Sequence, residues 1–497
     1  MAGKNAFEIS FKKSQKAVTL DAAQQISINN EPLKVDPQLL FQRLTIAAQR
    51  FSDNLPDVFT YELCGVPSSL FGSDGLIMES QKWPLAEAIW NVGDCMHEEN
   101  LDDKNYRYVL DGGSLLHQVP WKTGMLFSEI FESYVRYINN RYPNAVIVFD
   151  GYASGPSTKD TTHIRRTHGI TGAKVYFTLS LPLSTKKETF LKNSENKQNF
   201  IFALAGELER NGFDVYHAQG DADVLIVKTA LQIAEKSNVV IVGEDTDLQV
   251  IALYHIKSIH KTVVVKPAAK QTTSKVVRIW DIQKAKQVLG GQTRTLPVLH
   301  AISGCDTTSH IIGISKGAAL KTFLKNEEVV NDACDFLSHS NKDVVIASGE
   351  RILVALFGGL SVETLDVLRL RMFSQKVMSS TNYVQVKSLP PTSAAAKYHS
   401  LRTFFQVHEW VENGENLSPT EWGFELKDNK LMPQKTDRPA APEKLLKMVK
   451  CKCKQHCDTK RCSCRKNGLE CSAGCSGCRG ISCTNVQKFS ETDSDID

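Results

Sequence analysis

No run of apolar residues in this chain approaches the ~18 that a bilayer-spanning helix needs, so nothing in it reads as a membrane segment. The opening MAGKNAFEISFKK lacks the apolar core of a secretory signal. The expectation is an intracellular, reducing setting in which thiols stay thiols. An excess of one charge is also missing. A net charge of +4 over 497 residues excludes a uniformly basic coat, so any nucleic-acid footprint must be local. Nor is the composition biased: 42% apolar and 23% charged residues describe an ordinary globular chain of about two to four domains.

What is present is a concentration of carboxylates at the ends of strand-like runs. The stretch from Phe213 to Leu253 holds two pairs, Asp221 with Asp223 and Asp245 with Asp247. The first follows Asp214-Val215-Tyr216 and the second follows Val239-Val240-Ile241-Val242, whose β-branched residues suit a strand buried on both faces. Val224 to Lys236 reads as the helix between them. Strand, helix, strand predicts a βαβ unit and a parallel sheet, whose ligands bind beyond the carboxyl ends of the strands. Tyr108-Val109-Leu110 runs into Asp111, Val146 to Phe149 runs into Asp150, and Ser303-Gly304-Cys305 precedes Asp306. Seven carboxylates on one sheet edge require cations. Hard divalent ions such as Mg²⁺ or Mn²⁺ suit an all-oxygen site, and two of them serve in-line displacement at phosphorus.

LDGG, VFDG, GDADV, EDTD and SGCD, taken in that order, resemble the strand-end motifs of the flap endonuclease group of structure-specific 5′-nucleases, which have a PIN-like fold. The resemblance covers about Tyr108 to Leu324. It implies a mostly parallel α/β sheet flanked by helices, a two-metal nuclease, and Asp111, Asp150, Asp221, Asp223, Asp245, Asp247 and Asp306 as ligands. The pair 221/223 is Asp where the family has Glu. The segment Gly304 to Lys321 resembles the family's helix-two-turn-helix, in which Gly313, Ser315, Lys316 and Gly317 would meet a DNA backbone. A glycine is common where Ser315 stands, so a K⁺ ion at that turn stays an open expectation. The family also carries a Lys and an Arg near the scissile phosphate. Lys159 and Arg166, seven apart, match them, with Arg165 competing for the second role and a solvated basic helix as the plain alternative. His163 and His168 are expected as exposed polar histidines. The family's arch over the single strand corresponds to the polar stretch Thr171 to Asn199, expected here as a reduced arch or a mobile loop.

Other parts are plainer. Residues 1–104 show no recognisable chemistry; Gln38 to Phe51 reads as an amphipathic helix, and Cys64 and Cys95 read as buried thiols. Thr262–Lys266 and Lys275–Trp280 suggest a hairpin at the sheet edge. Residues 326–426 read as a helical extension, where the aromatics of Tyr398 to Trp410 are core. Residues 427–449 are polar, contain proline, and read as a linker.

The C-terminal run places Cys451, Cys453, Cys457, Cys462, Cys464, Cys471, Cys475, Cys478 and Cys483 within 450–485. So short and polar a stretch cannot build an apolar core, so metal must supply folding energy, and nine thiolates can hold about three Zn²⁺ ions if three sulfurs bridge. RCSCRKNGLEC resembles the tesmin-type CXC module, which binds DNA; Arg461 stands where that family has a minor-groove tyrosine. Arg461, Arg465 and Lys466, with Lys450 and neighbouring lysines, supply a basic face. The module is expected to fold separately beyond the linker. Residues 486–497 form an acidic tail.

The chain therefore reads as a nuclease core (105–325) that cuts DNA flaps, junctions or ends in the nucleus, with a zinc module aiding DNA binding. An RNA-cutting PIN-like enzyme and a non-catalytic chromatin protein keeping the nuclease fold are the alternatives. Protein partners are not legible.

Overall fold

The structure is a computed structural model. It describes residues 24–28, 31–51, 54–93, 95–97, 106–151, 155–167, 172–268, 279–338, 341–379, 384–412, 417–448, 450–454, 456–472, 475, 477–480 and 483–486. His168, residues 275–278 of the expected hairpin and the acidic tail lie outside the described residues, as do the side chains of His163 and Arg166.

The chain divides into two compact units. One comprises Met1–Leu76, Val362–Ala396 and Lys435–Asp497; the other comprises Ile77–Ser361 and Lys397–Gln434. The units part at Leu76, where the sequence suggested a boundary at residue 104.

In the first unit, strands β1 (Gln24–Ile28) and β2 (Glu31–Val35) pair antiparallel. Asp36 opens the helix Pro37–Phe51, its carboxylate accepting the Leu39 N–H at 2.8 Å. Leu40, Phe41, Leu44, Ala47 and Ala48 recur at helical spacing and are all buried. They pack with Phe59, Phe373, Leu389, Leu445 and Leu446. The last two belong to a helix, Glu443–Met448, inside the stretch expected as a linker. Its apolar pair finds the face of the first helix, so the segment is core rather than spacer. Cys64 is buried, as expected of an inert thiol.

The second unit carries a seven-stranded sheet. Its strands are β3 (Met96–His97), β4 (Tyr106–Asp111), β5 (Val146–Phe149), β6 (Asp214–His217), β7 (Asn238–Val242), β8 (Val263–Lys266) and β9 (Ile279–Asp281), ordered β3-β9-β8-β7-β4-β5-β6. β4, β5, β6, β7 and β8 run parallel, while β9 is antiparallel to both β8 and β3. The expected hairpin is thus β8 with β9. Central strands bury every residue of Val146–Phe149 and Val239–Val242, whereas β6 at the edge leaves Asp214, Tyr216 and His217 exposed. Helices Gly112–Gln118, Asp223–Ala234 and Thr246–His255 follow β4, β6 and β7. A final hairpin joins β10 (Phe424–Lys427) to β11 (Lys430–Pro433) through Asp428 and Asn429, both at positive φ, 50° and 56°, as a tight two-residue turn requires. Phe404, Phe405 and Trp410 are buried, as expected of a core stripe.

The stretch Thr171 to Asn199 is neither an arch nor a loose loop over its described part. Phe177 stacks on Phe127 at 4.2 Å, and Leu126 bridges Pro182. Asn196, fully buried, accepts the Val175 N–H at 2.8 Å and donates to the Ala173 carbonyl at 2.9 Å. A polar sequence is held down here by a buried amide, a stacked ring and backbone hydrogen bonds between Leu179, Leu181 and Leu183 and residues 124–128. Asn196→Ala leaves both backbone groups without partners, which should cost about 1–3 kcal/mol and make residues 172–186 the first site of limited proteolysis. Unchanged melting and cleavage pattern would show that the segment is held by other means.

Candidate functional site

The carboxyl ends of β4, β5, β6 and β7 lie side by side, and the acidic residues stand just beyond them. Three of these begin helices. Asp111 caps Gly112–Gln118 by accepting the Ser114 N–H at 3.1 Å; Asp245 caps Thr246–His255 by accepting the Asp247 N–H at 3.1 Å; Asp223 opens Asp223–Ala234. Helix N-termini offset part of the negative charge. Asp150 accepts the Ala222 N–H at 3.3 Å. Glycine is needed on both sides of it: a side-chain carbon at Gly113 would stand 3.2 Å from Asp111 Oδ1 and 3.3 Å from Asp150 Oδ2, and one at Gly151 would lie 2.0 Å from the Ala218 carbonyl oxygen. That is the physical content of LDGG and VFDG.

The seven carboxylates do come together. Asp223, Asp245 and Asp247 each bring an oxygen within 4.8 Å of the others, a grouping able to hold a cation. Burial first, and then Asp150 and Asp245, push the Asp111 carboxyl up to about 7. Burial and Asp221 hold Asp223 well above the usual carboxylate range, with Lys159 drawing it back. Burial, then Asp247, raises Asp245. Asp306 enters through its neighbours: the Thr162 hydroxyl donates to its carbonyl at 2.7 Å, and its carboxylate meets an ammonium described next.

Two lysines sit in the cluster. Lys159 reaches Asp221 at 2.7 Å. Arg165, which competed with Arg166 for the second role, donates to the Ile77 carbonyl at 3.0 Å. The second ammonium is Lys82, from the region that showed no chemistry in sequence. Its Nζ stands 2.9 Å from Asp245, 2.9 Å from Asp247 and 3.1 Å from Asp306. Burial alone would lower its basicity, but Asp247, Asp245 and Asp306 more than offset this and keep it protonated. No motif marks Lys82; it is brought in from 163 residues away along the chain.

Behind Asp247 lies a buried relay. His300 Nε2 is 2.7 Å from Asp247 Oδ1, and Lys316 Nζ is 3.0 Å from His300 Nδ1. Lys316 also donates to the His300 carbonyl and to Ser303 Oγ, so its three N–H groups are used. Burial, then Lys316 and Lys82, keeps His300 neutral, with Nε2–H donating to the carboxylate. Burial likewise brings Lys316 down to about 7. The Lys316 side chain faces inward, so its backbone is what remains for a phosphate. Helices Leu296–Ile302 and Lys316–Lys325 flank the turn, with Gly313 and Ser315 exposed and Ser315 capping the second helix. Cys305 is buried and its thiol is raised by burial, which makes it inert.

In the first unit, the cysteines form a core of their own. Neighbouring sulfurs stand 3.5–3.9 Å apart. That is too far for a disulfide and matches the ~3.8 Å edge of a tetrahedron with ~2.3 Å metal–sulfur bonds. The quartets Cys451/Cys453/Cys457/Cys462 and Cys457/Cys471/Cys478/Cys483 share Cys457. The remaining pair, Cys464 and Cys475 at 3.5 Å, completes a third quartet with Cys451 and Cys471. Nine sulfurs so shared suit three tetrahedral ions. The sequence led us to expect a module that folds separately; instead it belongs to the same compact unit as helix Pro37–Phe51. Arg43 of helix Pro37–Phe51 donates to Cys464 Sγ at 3.3 Å and to the Glu470 carbonyl. Arg461, Arg465 and Lys466 are exposed, whereas Lys450 is buried.

A family model described as a domain of unknown function (DUF8702) matches residues 1–62. No curated protein matches the chain. Among solved structures, the chain is similar to the catalytic core of Rad2 in complex with DNA substrate, at 14% identity and a TM-score of 0.34, over 66% of this chain and 99% of that one. It is similar to a T5 5′-exonuclease at 10% identity and a TM-score of 0.28, over 63% and 100% of the chains. It is also similar to the eukaryotic junction-resolving enzyme GEN-1 binding with potassium, at 12% identity and 0.31, over 62% and 60%.

The raised Asp111 carboxyl has a measurable consequence. The folded chain keeps its proton up to about pH 7, while the unfolded chain releases it near pH 4. Its contribution to stability therefore falls as pH rises between these values and is flat above them. Histidines buried in the neutral form, such as His300, act in the opposite sense below their ordinary value. The informative quantity is thus a difference. Without added divalent ion, Asp111→Asn should gain more in Tm over the wild-type chain at about pH 8 than at about pH 5. A pH-independent difference would contradict the raised value.

Proposed function

We propose that the second unit is a metal-dependent phosphodiesterase acting on DNA flaps, junctions or ends. Its ligands would be Asp111, Asp150, Asp221, Asp223, Asp245, Asp247 and Asp306, and a nuclear location belongs to the same reading. The observation that supports it most is the meeting of these carboxylates beyond four parallel strand ends, with the Asp223/Asp245/Asp247 oxygens close enough to share an ion. Divalent cations bound there supply an activated water and a counter-charge for the leaving oxygen. The protein's own groups do the rest. Helix N-termini orient the carboxylates, and His300 and Lys316 fix Asp247. Lys159 and Arg166, at the head of and along helix Asp160–Thr167, would face the phosphate and its developing charge. Gly313, Ser315 and Gly317 would offer backbone groups to the duplex, where a K⁺ ion also belongs to the reading.

The cysteine module would hold about three Zn²⁺ ions and present Arg461, Arg465 and Lys466 to phosphates. RNA is the alternative substrate, since the same carboxylates serve it. The two ammonium groups already within the acidic cluster favour one further reading, a scaffold that binds DNA without cutting.

One assay separates these readings: the purified chain with Mg²⁺ or Mn²⁺ on labelled flap, hairpin, single-stranded and RNA substrates. Cleavage of flaps or junctions is expected. Asp245→Ala and Asp247→Ala should lower turnover by more than the ~100-fold that loss of an outer partner costs, while DNA affinity survives. Wild-type turnover in either variant would sink the metal-site assignment, and binding without cleavage by the wild-type chain would favour the scaffold.

Zinc has its own test. Protein purified under reducing conditions should carry about three zinc ions in native mass spectrometry. Cys471→Ser, which removes a shared sulfur, should lower that content by about two ions, where Cys453→Ser lowers it by about one. Disulfides with no zinc would overturn the assignment.

A further inference from the structure

The corner of the cluster formed by Asp245, Asp247 and Asp306 is already filled. We propose that Lys82 is a built-in cation that takes the place of a second divalent ion, so that the site works with one exchangeable ion and one fixed ammonium. This rests on the nuclease reading above.

The geometry carries it. Lys82 Nζ lies 3.0 and 2.9 Å from the two oxygens of Asp245, 2.9 Å from Asp247 Oδ2 and 3.1 Å from Asp306 Oδ1. It therefore sits at the point where a metal shared by the three would sit. The oxygens are engaged from other sides as well. Asp245 Oδ1 also takes the Asp247 N–H at 3.1 Å, and Asp247 Oδ1 takes His300 Nε2 at 2.7 Å. A Mg²⁺ ion would have to draw these oxygens to ~2.0–2.1 Å and expel the ammonium. Asp223 brings an oxygen within 4.8 Å of one from Asp245 and one from Asp247, and Asp111 feels the charges of both Asp150 and Asp245, so these acids are the ligands the proposal leaves to a single ion.

Lys82 is not a swinging surface chain. It precedes helix Trp83–Gly93, and its carbonyl accepts the Leu85 N–H at 3.0 Å. Trp83 meets Trp280 edge-on at 5.4 Å, and Trp90 stacks on Trp280 at 5.9 Å. The side chain is only 12% exposed. Such an ammonium is a fixed positive charge that needs no reorganisation when charge develops on a leaving oxygen.

The test counts ions rather than turnover. The zinc-loaded full chain is titrated with Mn²⁺ and read by calorimetry and by electron paramagnetic resonance. The wild-type chain should bind about one Mn²⁺ with the spectrum of an isolated ion, and Lys82→Ala about two with the signature of a spin-coupled pair. Lys82→Arg, which keeps the charge, should stay at about one and guards against a misfolded alanine variant. Two coupled ions in the wild-type chain would overturn the proposal, as would one ion in both wild type and Lys82→Ala. No bound Mn²⁺ in any of the three would overturn the nuclease reading as well.

Discussion

Mutual repulsion among seven carboxylates is the constraint to which the second unit answers. Unlike packing, repulsion among carboxylates gathered this closely cannot be relieved by small shifts, and each buried negative charge must meet a positive one. The fold supplies three kinds. Helix N-termini meet Asp111, Asp223 and Asp245, because each of the strands β4, β6 and β7 is followed within a few residues by a helix. The ammonium groups of Lys82 and Lys159 enter from outside the sheet. The His300–Lys316 relay meets the rear of Asp247 and uses one N–H, not a full charge. What these leave uncompensated is visible in Asp111 and Asp223, whose carboxyls resist ionisation.

The strand ends were legible because the chemistry and the local pattern coincide. Val146 to Phe149 and Val239 to Val242 are short apolar runs rich in β-branched residues that end at or a few residues before an aspartate, and a parallel sheet aligns such ends on one edge. The cysteine spacing was legible for a similar reason, since ligands close in sequence are close in space. Lys82 was not. Its neighbours are a proline-containing helix start, and its value depends on a fold that brings residue 82 to residue 245. Nor was the inward course of the side chain of Lys316. It stands beside glycines in a turn that suits phosphate, yet three buried acceptors outweigh solvent for its ammonium. The stretch 427–449 looked like a spacer by its prolines and charges; the two leucines that anchor it are too few to show periodicity.

In the first unit a metal-sized arrangement of sulfurs takes the place of an apolar core, and it is joined to a true one. Helix Pro37–Phe51 contributes its leucines and Phe41 to the apolar cluster and its Arg43 to Cys464 and Glu470. A guanidinium against a thiolate favours the ionised sulfur that a metal requires. Formation of the sulfur cluster and docking of the helix are thereby coupled, which a module on a free tether would not achieve. The match to a family model over residues 1–62 covers this same helix.

Asp221 and Asp223 are short acids, whose carboxylates stay close to the backbone that carries them. Long lysine side chains are suited to reach such groups from outside the sheet. Lys159 closes on Asp221 at 2.7 Å, and Lys82 closes on the opposite corner. Short acids and long ammonium groups are then complementary. The cluster carries cations that are part of the chain, and the lysines and the aspartates are interdependent. A longer acid beside Lys159 would crowd the ammonium, and removing Lys82 would leave Asp245 and Asp247 with only their remaining N–H partners.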